Sequence, residues 1–297
     1  MSPEVSVVIP TYNRVADLRR ALSSVQQQSF RNWEAMVVDN SSTDGTRQMV
    51  ESLGDARIRF IEINNEGVVA RSRNVGIQAA SAEFVALLDS DDWWHPRKLE
   101  RSLQALRGGA DIAYHSMYLV RAADQRFFWF RTRTRDLRAP VFDDLLGRGN
   151  ALANSSVVIR RGLITSLGGF AEERGKIGYE DFDAWLRAAK VTERFARVPG
   201  TVGYYWVGGA NLSSPDRMVN NLEDFRANYL ADDPAWQGQL PGWFHYGMGR
   251  AYYHLGAWQL SLDHMRRARS GVLMPGVRAR SIITTLAASL KMHARAN

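Results

Sequence analysis

Four short apolar runs rich in Val and Ile, Val5–Ile9, Ala35–Val38, Ile58–Ile63 and Phe84–Leu88, alternate with segments whose apolar residues recur at helical spacing. Runs of this kind read as strands buried on both faces of a parallel sheet, with crossover helices as the cover. Helices are expected over Asp17–Gln27, with Val15, Leu18, Leu22 and Val25 on one face, near Arg47–Leu53, and over Val68–Ala80. The βαβαβαβ order predicts an α/β fold: an open, Rossmann-like, mostly parallel sheet with flanking helices. Such sheets bind ligands beyond the carboxyl ends of their strands.

The polar residues fall at those ends. Strand one runs into Pro10, Thr11, Tyr12, Asn13 and Arg14, strand two into Asp39, Asn40, Ser41, Ser42, Thr43, Asp44 and Gly45, and strand four into Asp89, Ser90, Asp91 and Asp92. Three carboxylates so close together repel, and taking them out of water costs several kcal/mol unless a cation or donors compensate. Oxygen-only ligands suit Mg2+ or Mn2+, and Mg2+ usually takes one or two carboxylates together with substrate phosphates. A metal-bridged diphosphate is therefore expected there. The bland alternative is an acidic turn in which Asp92 caps a helix over Arg97–Leu106.

The motifs VSVVIPTYNR, VVDNSSTDGT, NEGVVARSRNVGI, LLDSDDWWHP and GYEDFDAWLR, in this order over roughly Val5 to Ser214, resemble the bacterial, non-processive, inverting glycosyltransferases of family 2, which have the GT-A fold. The resemblance implies that Pro10, Thr11, Tyr12, Arg14 and Asp39 hold the base and ribose of a nucleotide-sugar donor. A carboxylate, being acceptor-only, can read a ring N–H; Asp39 could equally form an Asx turn, and Asp44 reads more simply as a helix cap. It also implies that Asp89 and Asp91 hold the metal, Asp89 touching ribose or a metal-bound water, with Ser90 beside them and Asp92 behind. Arg71 or Arg73 would face the diphosphate, the spacing leaving open which, and a solvated arginine remains an alternative for each.

In the same resemblance Asp181 is the general base that deprotonates the acceptor hydroxyl, and Glu180 its neighbour in acceptor binding. Acidic residues in a first helical turn also have a purely structural reading, through the helix dipole. Gly169, in the loop LGGF, would let backbone approach donor sugar and acceptor, although a plain turn accounts for the glycine too. Gly149, Asn150, Asn154 and Ser155 are expected to line the same region. Two departures stand out. A His that many relatives carry just before Asn-x-Ser is missing from YYWVGGANLS, residues 204–213, and the Gln-x-x-Arg-Trp signature of processive synthases is absent.

The expected layout is a GT-A catalytic domain over 1–214, with a nucleotide half (1–107) and an acceptor half (108–214), followed by a helical extension over 215–297. Within the extension, residues 249–268 look like one tetratricopeptide-type hairpin. Of the net charge of +7, much lies at the end: from Asp263 to Asn297 there are seven Lys or Arg against one acid. Ile282, Ile283, Leu286 and Leu290 recur beside Arg278, Arg280, Lys291 and Arg295, which suits a helix lying on an anionic membrane surface. The stretch RFFWFRTRTR, residues 126–135, reads as a half-exposed strand or hairpin.

No apolar stretch is long enough to cross a bilayer, the N-terminus enters a strand directly, and cysteine is absent, which excludes disulfide and thiolate chemistry. A cytoplasmic protein, peripheral at the inner membrane face, is expected. A sequence pI near 9.8 raises nucleic-acid binding, but the basic residues gather in the tail while the crevice is acidic, so no nucleic acid is expected. A nucleotidyltransferase acting on a sugar phosphate would carry a Gly-rich basic loop after strand one, and PTYNR is not one. The reading is thus a metal-dependent enzyme, using Mn2+ or Mg2+, that moves one sugar from a UDP-type donor to a glycan or lipid-linked acceptor.

Overall fold

The computed structural model describes residues 2–208, 214–231, 233, 236, 239–271, 273 and 275–296. The chain begins β1 (Val5–Thr11), α1 (Val15–Gln26), β2 (Trp33–Asp39), α2 (Thr46–Ser52), β3 (Ile58–Glu62), α3 (Val69–Ala79) and β4 (Phe84–Leu87). It continues β5 (Trp93–Trp94), α4 (Lys98–Arg107), β6 (Ile112–Val120), α5 (Val141–Arg148), β7 (Val158–Arg160), α6 (Arg161–Ser166), α7 (Glu180–Ala189) and β8 (Phe195–Trp206). Four helices follow, α8 (Pro215–Tyr229), α9 (Gly242–His254), α10 (Trp258–Ser270) and α11 (Pro275–Ala296).

All eight strands join one sheet in the order β3-β2-β1-β4-β7-β6-β8-β5. The first four are mutually parallel, as the alternation demands, and β1 lies between β2 and β4. Every residue of β1 and β4 is buried. One close approach is needed to cover them: a Cβ on Gly76 of α3 would come within 2.4 Å of Val8 Cγ1, so a helix bearing any side chain there could not lie this near β1. On the other side Leu18, Leu22 and Val25 of α1 and Leu99, Leu103 and Leu106 of α4 share one core with Val5, Val7 and Ile9.

The chain forms two compact units, and the division is not a single cut. One comprises residues 1–137, 151–173 and 180–210; the other takes 138–150 and 174–179 together with 211–297. The expected boundary after residue 214 therefore omits two earlier segments. The reason is aromatic packing: within the second unit Tyr179 meets Phe225 edge-on, with ring centroids 5.6 Å apart, and Trp243 donates its ring N–H to Leu146 O at 2.8 Å.

In that unit α9 and α10 form the expected hairpin, and Tyr246, Met265, Ala268 and Val277 make a small core. The tail is helical, with Val277, Ser281 and Ala288 buried; Ile282, Ile283, Leu286 and Leu290 are exposed. No described helix is long and apolar enough to cross a membrane.

Two local expectations need correction. Residues 126–135 form no regular strand but return antiparallel along β6, with Arg131 bridging to Tyr118, so the hairpin alternative is the nearer of the two readings. Asp92 does not cap α4, which starts at Lys98 with Arg97 as an N-cap that makes no side-chain cap hydrogen bond.

Candidate active site

The strand order brings the ends of β2, β1 and β4 side by side. Thr11 is the register partner of Asp39, and the loops that follow are tied together. Asn13, in a left-handed conformation (φ 48°), accepts from Thr43 N at 2.8 Å through Oδ1, and its own N–H donates to Ser42 Oγ at 2.8 Å. Asp44 joins the same network: Oδ2 accepts from Val15 N, the first residue of α1, and Oδ1 from Thr46 N and Thr46 Oγ1. The capping reading of Asp44 is thus correct, and it serves two helices.

Asp39 is buried and turns inward on its own loop. Its Oδ2 accepts from Ser42 N at 2.8 Å and its Oδ1 from Ser42 Oγ at 2.5 Å, which is the Asx-type turn. Pro10 and Thr11 complete β1, while Tyr12 stands 55% exposed at its end. Arg14 reaches from this loop to the β4 corner, where its guanidinium pairs with Asp91.

The β4 corner is built from distant parts of the chain. Asp89 Oδ1 accepts from Arg73 Nη2 at 2.8 Å and from Asn154 Nδ2 at 2.9 Å, and Asp89 N donates to Ser155 Oγ at 3.0 Å. Arg73 is buried and uses its other amine, Nη1, on Glu180 Oε1 at 2.6 Å. Burial works against the Arg73 charge, but Asp89 and Glu180 outweigh it and hold its pKa above the ordinary value. Arg73, on α3, therefore ties the end of β4 to the start of α7.

Arg71 points elsewhere, pairing with Glu66 and Glu172. Of the two arginines, Arg73 is the one that pairs inside the corner.

Behind this corner Asp92 is fully buried, and its Oδ1 accepts from Trp206 N at 2.9 Å, pinning the end of β8. Burial and the neighbouring Asp91 and Asp89 raise its pKa well above the carboxylate range. Asp91 is raised too, first by burial and then by Asp89, with Arg14 pulling the other way. Ser90 between them is buried. Arg20, which the sequence reading passed over, donates from Nη2 to Asp91 O at 2.8 Å and lies 4.3 Å from the Trp93 ring centre. On α1 it reads as an ordinary solvated helix residue, and no local signal would have singled it out.

At the start of α7, Asp181 is half-buried, and its Oδ1 accepts from Phe182 N at 2.6 Å. Burial, and then the charge of Glu180, push its pKa up to about 7 despite the pull of Arg73. A carboxyl group near neutrality is poised to take a proton at physiological pH. Glu180 accepts through Oε1 from Arg73 Nη1 at 2.6 Å.

Gly169 has a φ of +79°, and a Cβ there would fall 2.4 Å from Asn74 Oδ1. That amide brackets the next residue, accepting from Phe170 N and donating to Phe170 O, both at 2.8 Å. Asn154 and Ser155 do reach the Asp89 corner, whereas Gly149 and Asn150 belong to the other unit.

Could this corner hold a divalent ion? Asp89 and Asp91 supply oxygen donors, their mutual repulsion calls for positive charge, and Arg14 provides some of it on Asp91. Among the described residues no group of three or more His, Cys, Asp or Glu gathers. Two carboxylates fit an Mg2+-type site completed by substrate phosphates better than an all-protein cage. Of the stretch expected to carry a further ligand, residues 204–213, the last five lie outside the described residues.

An open α/β sheet with acidic and basic residues converging at its strand ends defines the general class, a nucleotide-type binding fold of GT-A form. Residues 6–162 match the model for glycosyl transferase family 2, and the chain belongs to that family.

The relatives include UDP-Glc:alpha-D-GlcNAc-diphosphoundecaprenol beta-1,3-glucosyltransferase WfgD of Escherichia coli, 37% identical over 34% of this chain and 40% of that one. The putative glycosyltransferase EpsE of Bacillus subtilis is 28% identical over 62% of this chain and 66% of its own length. The chain thus spans less than two thirds of either relative.

Among solved structures, S. aureus TarS 1-349 in complex with UDP superposes with a TM-score of 0.57 at 19% identity, covering 98% of this chain and 91% of that one. Mannosyltransferase PcManGT from Pyrobaculum calidifontis, in complex with GDP-Man and Mn2+, gives 0.60 at 18% identity over 98% and 87%. These structures share the fold.

Proposed function

We propose that this chain is a metal-dependent, inverting glycosyltransferase that moves a single sugar from a nucleotide-sugar donor, a UDP-sugar, to a hydroxyl of a glycan or lipid-linked acceptor. The observation that carries the reading is the Arg73 bridge, which fixes the Asp89 corner and the start of α7 to one guanidinium. It supports a metal-and-diphosphate end and a proton-accepting end within one rigid frame. The named activities of the E. coli relative and the UDP complex of the S. aureus neighbour favour the donor and the class of acceptor. Surface polysaccharide or glycolipid assembly is the corresponding setting.

Asp91 and Asp89 are the residues that would hold Mn2+ or Mg2+, which when bound with the diphosphate supplies Lewis-acid stabilisation of charge on the leaving nucleotide. Around it the chain's own groups divide the work. Arg14 exchanges Asp91 for phosphate oxygen at little cost, both partners being cation and anion. Tyr12 offers an exposed ring to the base, Asp39 is the acceptor for a ring N–H, and Thr11 borders the ribose.

Asp181 accepts the proton of the acceptor hydroxyl as the oxygen attacks the anomeric carbon from the face opposite the leaving group, so the product is inverted. Arg73 and Glu180 position; neither needs to touch the reacting atoms.

The exposed stripe Ile282, Ile283, Leu286 and Leu290 of α11, flanked by arginines, suits peripheral docking on an anionic membrane at its inner face. A panel of UDP-, GDP- and dTDP-sugars, assayed for donor hydrolysis with Mn2+ and with chelator, tests the whole reading. Metal-dependent turnover of a UDP-sugar is expected. Turnover equal in chelator, or turnover of none of the panel, would sink it.

A further inference from the structure

After β6 the backbone turns at residues 121–125 and returns antiparallel along the same strand. Leu119 N donates to Phe130 O and Thr132 N to Met117 O, both at 2.8 Å. The Thr132 hydroxyl accepts from Met117 N at 3.0 Å, and the Tyr114 hydroxyl donates to Arg135 O at 2.8 Å. From below, Phe128 packs between Tyr118 and Tyr204, at 5.4 and 5.2 Å between ring centres. This strap is held by backbone and ring contacts, so what it shows to solvent is not shown by fraying.

Its outer face carries Phe127, 71% exposed, Trp129, 81%, and Phe130, 54%. Arg126, Arg131 and Arg133, all exposed, interleave with them, and Arg121 lies 5.5 Å from the Phe130 ring centre. The only acid between Arg121 and Arg135 is Asp124. Exposed rings so grouped mark an interaction surface. Aromatic bodies beside arginines are the composition found where an apolar phase meets a wet anionic one.

We infer that the strap, residues 126–133, inserts Phe127, Trp129 and Phe130 into the interface of an anionic lipid bilayer while its arginines meet the lipid phosphates. A bilayer is favoured by charge and by form. The arginines face anionic headgroups with one acid to oppose them, and the exposed rings stand on a backbone fixed by hydrogen bonds to β6. Below the strap Phe128 meets Tyr204, Tyr204 stacks on Trp93 at 5.3 Å, and Trp93 lies under Arg20, which donates to the backbone oxygen of Asp91. A nucleic-acid strand is the competing occupant and an outcome of the test.

This contact is separate from the stripe on α11 and does not depend on the transferase reading. One consequence does rest on that reading: a strap seated on the bilayer holds the aspartate corner close to where a lipid-linked acceptor presents its sugar.

The test uses the full chain with vesicles of phosphatidylcholine, with and without phosphatidylglycerol. Phe127→Ser/Trp129→Ser/Phe130→Ser should lower flotation with anionic vesicles by on the order of tenfold or more. Arg126→Glu/Arg131→Glu should do the same and flatten the salt dependence. All five positions are exposed, so melting temperatures should hold. Lipid brominated near the headgroups should quench the wild type more than Trp129→Phe, which keeps the apolar contact and removes the reporter.

Loss of flotation only in Ile283→Ser/Leu286→Ser, with both strap variants behaving as wild type, would overturn the proposal. So would equal quenching in Trp129→Phe, or strap-dependent binding of a single-stranded oligonucleotide or a second copy of the chain without vesicle binding. None of these readouts uses sugar transfer, so failure here and failure of the transferase reading are told apart.

Discussion

The ends of β2 and β4 both present carboxylates, yet they are satisfied in opposite ways. Asp39 spends both oxygens on Ser42, three residues away. Asp89 leans on Arg73, sixteen residues back, and on Asn154, sixty-five ahead, while Asp91 draws on Arg14 from the first loop. A self-contained turn forms wherever its few residues occur. A corner assembled from β1, α3, α7 and the turn before β7 exists only in the finished fold, and its charges are poised against one another. Stability is expected to be sensitive at the second corner and more tolerant at the first.

The largest effect should come from removing the proton acceptor. Asp181→Asn keeps the shape, so sugar transfer should fall on the order of 100-fold or more while UDP affinity barely changes. Transfer near the wild-type rate would leave Asp181 as a helix-start residue and return the search to the other acids of the corner.

Stability gives the direct contrast between the two corners. Arg73→Met strands the buried Glu180 without its cation and should cost about 3–5 kcal/mol in urea unfolding. Asp39→Ala, which loses two local hydrogen bonds, should cost only about 1–3 kcal/mol. Arg73→Met/Glu180→Gln should recover part of the first loss. Equal costs for the two single changes would erase the distinction.

The metal comes next in size. With ligand at about 100 times its dissociation constant, UDP plus Mn2+ should add roughly 2.7 kcal/mol, a shift of several degrees in melting temperature. Asp91→Asn should lose the metal-dependent part, whereas Asp39→Ala should keep it. Identical shifts with and without Mn2+ would remove Asp91 from the metal site.

The smallest effect is in pH. Asp181 must be ionised to accept a proton, and its carboxyl is held up to about 7. The transfer rate should therefore climb about tenfold per unit as pH rises toward 7 and level off above it. A profile already flat from pH 5 upward would mean that the bound state returns Asp181 to the ordinary carboxylate range.

The first half of the fold was legible because each of its elements carries its own signal. Val5–Ile9 is apolar but for Ser6 and Phe84–Leu87 is apolar throughout, and α1 buries Leu18, Leu22 and Val25, the face its spacing announces. The second half was not. β7 has three residues and β5 two, and β8 contains Pro199, Gly200 and Gly203 within its twelve. Strands that short, or so broken by turn-forming residues, carry no pattern of their own and are set by their neighbours in the sheet.

The site divides along the same line. That Asp89, Asp91 and Asp92 stand at the end of a buried strand follows from sequence, because an apolar run must stop where water begins. Which arginine meets them does not: Arg71 and Arg73 are two positions apart on α3, and only the lie of that helix on β1, allowed by Gly76, turns Arg73 inward and Arg71 toward Glu172.

Periodicity and composition determined the parallel sheet, its carboxyl-end crevice and the acidic β4 terminus, since each is a property of residues near one another in the chain. The Arg73 bridge, the raised pKa of Asp181 and the outward rings of Phe127, Trp129 and Phe130 were decided by tertiary structure alone. Burial and charge pairing act through space, between residues the chain itself keeps as much as 107 positions apart.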